Sequence, residues 1–205
     1  MIFSIIVGVI TGVIASWIVW WILFHRMAPK IGFAEKIKKE KTKNTKTGYY
    51  YQFKFGNLKR RTCAVDVGLR ATLYLPEFPF AGVTNMYVIP IGDKNIFELT
   101  PKKEGNTGWN RRISLKINDD EFIKSFDKTY FSDQIKAQAA EKMLRLEDIL
   151  SITSNASIRI HVSAMDSFSG SRKVFRSKNY KLEDVVYGKY ERSSLQLIPM
   201  NEEGA

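Results

Sequence analysis

Residues 2–24 form an unbroken apolar run: no side chain in it is charged, and Ser4, Thr11 and Ser16 are its only polar ones. Coiled as a helix at about 1.5 Å per residue, the run measures roughly 35 Å, enough to cross the hydrocarbon of a bilayer with some tilt. Beyond residue 48 the period drops to two. Tyr49, Tyr51, Phe53 and Phe55 alternate with Tyr50, Gln52 and Lys54. Cys63, Val65, Val67, Leu69, Ala71, Leu73 and Leu75 alternate with Ala64, Asp66, Gly68, Arg70, Thr72 and Tyr74. The same alternation recurs at Ile113, Leu115 and Ile117, and at Ile158, Ile160 and Val162. Each series predicts a strand with one face turned inward. Turn residues at 166–170 precede a further strand at 172–176, and shorter candidates lie at 31–37, 86–91 and 194–198.

One stretch keeps a helical period instead. Ser132 is placed to cap it, Asp133 suits the positive end of its dipole, and Ile135, Ala139, Met143, Leu146 and Leu150 form an apolar stripe. Together these patterns predict a mainly β protein: one N-terminal transmembrane helix, then a β-sandwich with one helical insertion. The expected division is 1–25 transmembrane helix, 26–48 basic juxtamembrane neck, 49–199 cytoplasmic β-sandwich and 200–205 tail.

Trp17, Trp20 and Trp21 gather at the far end of the apolar run, where indole rings favour the lipid–water boundary, and Arg26 and Lys30 follow at once as candidates to hold lipid headgroups. A cleaved signal peptide carries positive charge ahead of its apolar segment. This run has none there and ends in tryptophans, so the sequence reads as a retained span. The Lys/Arg excess lies C-terminal to it, which by the positive-inside rule predicts a single-pass protein of the cell (inner) membrane with its large domain in the cytoplasm. Ser4, Gly8, Gly12 and Ser16 recur every four residues. Small residues on one helical face let two backbones approach, so this stripe predicts packing against a second copy or a partner helix.

The net charge of +11 is unevenly placed. Residues 25–61 hold twelve Lys/Arg against Glu35 and Glu40, whereas the rest of the chain has 20 basic residues against 19 acidic. The charge therefore reads as a membrane-proximal feature attracting anionic headgroups, about 1 kcal/mol per basic side chain near the surface, and argues against nucleic acid as the partner. Residues 36–46, KIKKEKTKNTK, read as a basic neck in contact with headgroups, the alternative being a solvated linker or an edge strand whose lysines set topology.

Little in the chain points to catalysis. His25 falls at the membrane boundary, and His161 on the outward face of a strand. The single cysteine, Cys63, excludes an intramolecular disulfide and a cysteine-based zinc site, and its place in an apolar series predicts a buried structural thiol. No His/Glu spacing fits a metal, and neither a G-x-S-x-G nor a Walker-type loop occurs. The expectation is a non-enzyme without a metal or cofactor.

The last third, ASIRIHVSAMDSFSGSRKVFRSKNYKLEDVVYGKY, resembles the cytoplasmic domain of inward-rectifier potassium channels at Asp166, Gly170, Arg176, Tyr180, Asp184, Val185, Gly188 and Tyr190. YQFKFGNL at 51–58 is similar to that domain's first core strand. The resemblance implies an immunoglobulin-like sandwich beneath a membrane and assembly as a homo-oligomer, a tetramer in that family. By location it also makes Lys36, Lys38 and Lys39 lipid-binding candidates. The family's second membrane helix and TVGYG-type filter have no counterpart in this sequence. The leading functional expectation is a membrane-anchored sensory or scaffolding module that binds a protein partner or small-molecule ligand near anionic lipid. The alternative is a ligand-gated, membrane-disrupting (pore-forming) effector of the kind used in bacterial defence.

Overall fold

The protein was analysed as a computed structural model that describes residues 2–26, 28–103 and 105–201. α1 (Ile2–Arg26) takes up the apolar run, and its segment Phe3–Ile22 is long and apolar enough to cross a membrane, with none of it buried against the domain. Everything after residue 27 is mainly β.

In the first sheet, β3 (Tyr49–Asn57) is the organising strand. β7 (Asn110–Leu115) pairs along one of its edges, from Tyr51↔Leu115 to Gly56↔Asn110. β1 (Ile31–Phe33) and β2 (Ile37–Lys41) follow one another along the other edge. The single strand predicted over 31–37 is therefore two. The pairing with β3 slips by two residues between them, while the Ala34 N–H still donates to the Lys54 carbonyl (2.8 Å). β10 (Val185–Tyr190) runs parallel to β2, and β11 (Leu197–Pro199) closes antiparallel on β10.

In the second sheet, β4 (Ala64–Pro76) pairs with β8 (Ser157–Asp166) on one edge. β6 (Asn95–Leu99) and β5 (Thr84–Ile89) lie end to end on the other edge, and β9 (Arg172–Arg176) extends the sheet beyond β8. Side chains of both sheets share one core, with Tyr51, Phe53, Phe55, Ile113 and Leu115 meeting Val67, Ala71, Leu73, Ile160 and Val162.

The long alternation predicted for β4 is broken once. An extra residue enters between Val65 and Gly68, where Asp66 adopts φ +48°. Such a bulge reverses the facing of the residues before it. Ala64 is consequently buried, and Cys63, expected inside, is half-buried at the strand's end. The helical stretch expected from Ser132 to Leu150 is divided into α3 (Asp133–Ala140), capped by Ser132, and α4 (Leu146–Leu150), and a further short helix, α2 (Asp120–Ile123), precedes it at an Asp119 cap. Lys142, at φ +57°, ends the helical path between α3 and α4, and Met143 faces solvent instead of joining the stripe.

Much of the expected neck is not a linker, because Ile31–Phe33 and Ile37–Lys41 are strands of the first sheet. Its position there is fixed from the C-terminal third. The Tyr180 hydroxyl donates to the Ala34 carbonyl (2.5 Å), and the Tyr190 hydroxyl lies within bonding distance of the Lys36 (2.7 Å) and Gln52 (3.2 Å) carbonyls. Both phenols are buried, and burial raises both pKa values far above the usual tyrosine range. Of the expected tail, Met200 and Asn201 are described, and residues 202–205 lie outside the described residues.

Candidate functional site

On α1, Ser4, Gly8, Gly12 and Ser16 are exposed, and a Cβ built on either glycine would meet nothing within 4 Å. Trp17, Trp20 and Trp21 are exposed as well. The side chains of His25 and Arg26 lie outside the described residues.

Three of the lysines expected on lipid are instead held within the domain. Lys36 pairs with Asp184 (3.0 Å) and donates to the Glu183 carbonyl (3.2 Å). Lys38 is 2% exposed and pairs with Glu40. Lys39 pairs with Glu147 (2.9 Å), and its ammonium sits 4.1 Å from the Tyr49 ring centroid. The cause is topological. β2 lies between β3 and β10, so the side chains of Lys38 and Lys39 meet neighbours on both sides, and burying an ammonium requires an anionic partner; Lys36, just before β2, stays partly exposed. At Glu40 burial pushes the carboxyl upward, but bonds from Lys38 and Tyr50 outweigh it and leave the group below its ordinary value. Burial and the neighbouring Glu40 push Tyr50 up to about 12.

The rest of the basic segment is split between opposite ends of β3. The turn at 42–48, closed by Thr42 N–H donating to the Gly48 carbonyl (2.8 Å), carries Lys43 and Lys46. β3 then runs back about 30 Å, at roughly 3.3 Å per residue, before the chain reaches Lys59, Arg60 and Arg61.

That second end is where the helix joins the domain. One residue separates Arg26 from Ala28, a span of at most about 7 Å, and Ala28 and Pro29 are already buried in the domain. Lys30 is exposed beside them, and its carbonyl accepts from Leu58 N–H (2.7 Å). Asn57, with no exposed surface, organises the loops around this junction. Its amide donates to the carbonyls of Thr62 (2.9 Å), Leu99 (3.4 Å) and Thr100 (3.4 Å), and its Oδ1 accepts from Lys59 N–H (3.0 Å). Lys102 N–H then donates to the Lys59 carbonyl (2.7 Å), which ties the loop at 58–62 to the loop at 100–103. Lys30, Lys59, Arg60, Arg61, Lys102 and Lys103 are thereby gathered from three parts of the sequence. A cleft of about 730 Å³ between Leu58, Arg60, Lys102, Lys103 and Trp109 opens there, with the Lys102 ammonium 4.7 Å from the Trp109 ring centroid. Sequence reasoning missed Lys102 and Lys103 because they lie far along the chain from the basic segment. It grouped Lys59, Arg60 and Arg61 with that segment without separating them from Lys43 and Lys46.

The arrangement concentrates positive charge at this end of the domain. Cys63 lies close by, but a hydrogen bond to Glu98 and partial burial push its thiol up to about 11, which suppresses the nucleophilic thiolate. His161 sits between Arg70 and Arg176 in one cross-strand row, and burial together with those arginines and Arg159 lowers its pKa. Among the described residues no three His, Cys, Asp or Glu side chains are placed to share a metal ion.

The chain matches no family model and no curated protein. The resemblance to inward-rectifier cytoplasmic domains therefore rests on the quoted motifs alone.

Proposed function

We propose that the protein is a membrane-anchored sensory or scaffolding module. α1 anchors it, and the cationic junction end seats the β domain on the anionic headgroups of the cytoplasmic leaflet, where the domain meets a protein partner or small ligand. The observation that carries this reading is the coincidence of six cations with the point where the chain leaves the helix. Each basic side chain near such a surface contributes on the order of 1 kcal/mol, within a Debye length of about 10 Å at 0.1 M salt. Two sheets around one core are in keeping with an immunoglobulin-like sandwich. The stripe Ser4, Gly8, Gly12 and Ser16 supplies a close-packing face for a second copy of the helix, and a tetramer is the assembly the resemblance implies.

The test is amide hydrogen exchange on the full chain in nanodiscs of phosphatidylcholine, alone or mixed with phosphatidylglycerol. Anionic lipid is expected to slow exchange in 58–62 and 100–103 and to leave 42–48 unchanged. Slowing confined to 42–48, or none at either end, would overturn the reading.

A further inference from the structure

The outward face of the first sheet, next to the junction end, carries a second basic concavity. Its floor is Tyr50, Gln52 and Lys54 of β3, and its walls are the start of β7 and the turn that follows β10; it encloses about 1020 Å³. Lys54 points outward by strand alternation, yet it is 2% exposed because the turn after Tyr190 folds over it. Its ammonium donates to the carbonyls of Glu191 (2.5 Å), Ser194 (2.6 Å) and Arg192 (3.3 Å), so the lysine holds that wall in place.

Around this post stand Arg111, Arg112, Lys189 and Arg192, all exposed. None of the four makes an ion pair among the described residues. Arg112 is the direct cross-strand partner of Lys54, an arrangement of like charges that costs stability unless an anion shares it. Burial, and then Arg112, lower Lys54 to about 8, although the Glu191 carboxylate acts in the opposite direction. Five cations thus line the cleft against one carboxylate, Glu191. A single carboxylate ligand would leave most of that charge unmatched, whereas clustered phosphates carry several charges in a small volume and suit the planar fork of Arg112 on the same face as Lys54. The volume is that of a small-molecule site, at the upper end of the usual range of about 300–1,000 Å³.

We infer that this cleft binds a small molecule carrying two or more phosphate groups, gripped between Arg112 on β7 and Lys189 and Arg192 beside β10. The same chemistry has two sources, free phosphates and lipid headgroups, and the experiment separates them.

Inorganic pyrophosphate is titrated by calorimetry into the full chain in phosphatidylcholine nanodiscs, with orthophosphate as the weaker comparator. Saturable one-to-one binding is expected, tighter for pyrophosphate, and reduced at least tenfold by Arg112→Glu or Lys189→Glu. Arg60→Glu with Lys102→Glu at the junction end should leave it unchanged, as should Arg176→Glu on the other sheet. Displacement of pyrophosphate when phosphatidylinositol bisphosphate is added to the nanodiscs would assign the phosphates to headgroups; retention assigns them to a soluble ligand. Absence of saturable binding, or equal losses in cleft, junction and Arg176 variants, would overturn the inference. A failure here with normal headgroup protection at 58–62 would leave the anchoring proposal standing.

Discussion

Asn57 has no exposed surface, and the carbonyls of Thr62, Leu99 and Thr100 converge on its amide. Asn57→Ala leaves those carbonyls without their donor, and a buried group stripped of its partner costs about 1–3 kcal/mol. Chemical denaturation of the detergent-solubilised chain should show a loss of that size, with faster amide exchange in 58–62. Its neighbour Gly56 is constrained by space. A Cβ there would lie 2.6 Å from Cε3 and 2.7 Å from the carbonyl oxygen of the almost fully buried Trp109, so Gly56→Ala forces the ring and backbone apart. Overpacking of this kind costs about 1–3 kcal/mol. Neither role is visible in the sequence, because Leu99 and Thr100, and for Gly56 Trp109, lie about 40 or more residues away along the chain.

At the scale of elements, β2 shows how position in a sheet overrides composition. KIKKEK reads as a solvated linker by charge, yet it pairs with β3 and β10 because Asp184, Glu147 and Glu40 supply carboxylates where its lysines point. Asp184 is the firmest of these joints. It accepts from Lys178 (2.7 Å), Lys36 (3.0 Å) and Lys181 N–H (3.1 Å), and Glu183 flanks it. Burial raises its pKa, but those donors outweigh burial and hold it below the ordinary 3.8. A carboxyl depressed on folding stabilises the fold above its unfolded pKa, and the benefit disappears as pH falls through the lower, folded value. Denaturation midpoints should therefore drop as pH falls below about 4, with a shallower drop in Asp184→Asn. Equal acid slopes in the two proteins would refute this joint. β4 teaches the complementary lesson. Its period of two was legible, but the bulge at Asp66 was not, since alternation reports which residues are apolar and not where an extra one is inserted.

For the whole molecule, the question is which cations face the bilayer. Along the chain, Lys43, Lys46, Lys59, Arg60 and Arg61 form one basic stretch; in the fold, β3 separates them by about 30 Å at roughly 3.3 Å per residue. Charge reversal should distinguish the two ends. Arg60→Glu with Lys102→Glu is expected to abolish the protection of 58–62 by phosphatidylglycerol, whereas Lys43→Glu with Lys46→Glu should leave it intact. Raising the salt to about 1 M, where the Debye length falls to about 3 Å, should mimic the first pair of substitutions.

The apolar helix, the mainly β character of the rest, the inward faces of β3, β7 and β8, and the turn before β9 are all legible along the chain. All of these follow from local period and turn chemistry, which need no partner to be read. The fold alone reveals that the neck contains two strands, that Lys36, Lys38 and Lys39 have internal partners, and that Lys102 and Lys103 join Lys30 and Arg60. Only it built a basic cleft around Lys54. The physical reason is that charge acts through space: what a lysine does depends on which groups the fold brings within a few ångströms of it, and the one-dimensional order of residues does not contain that distance.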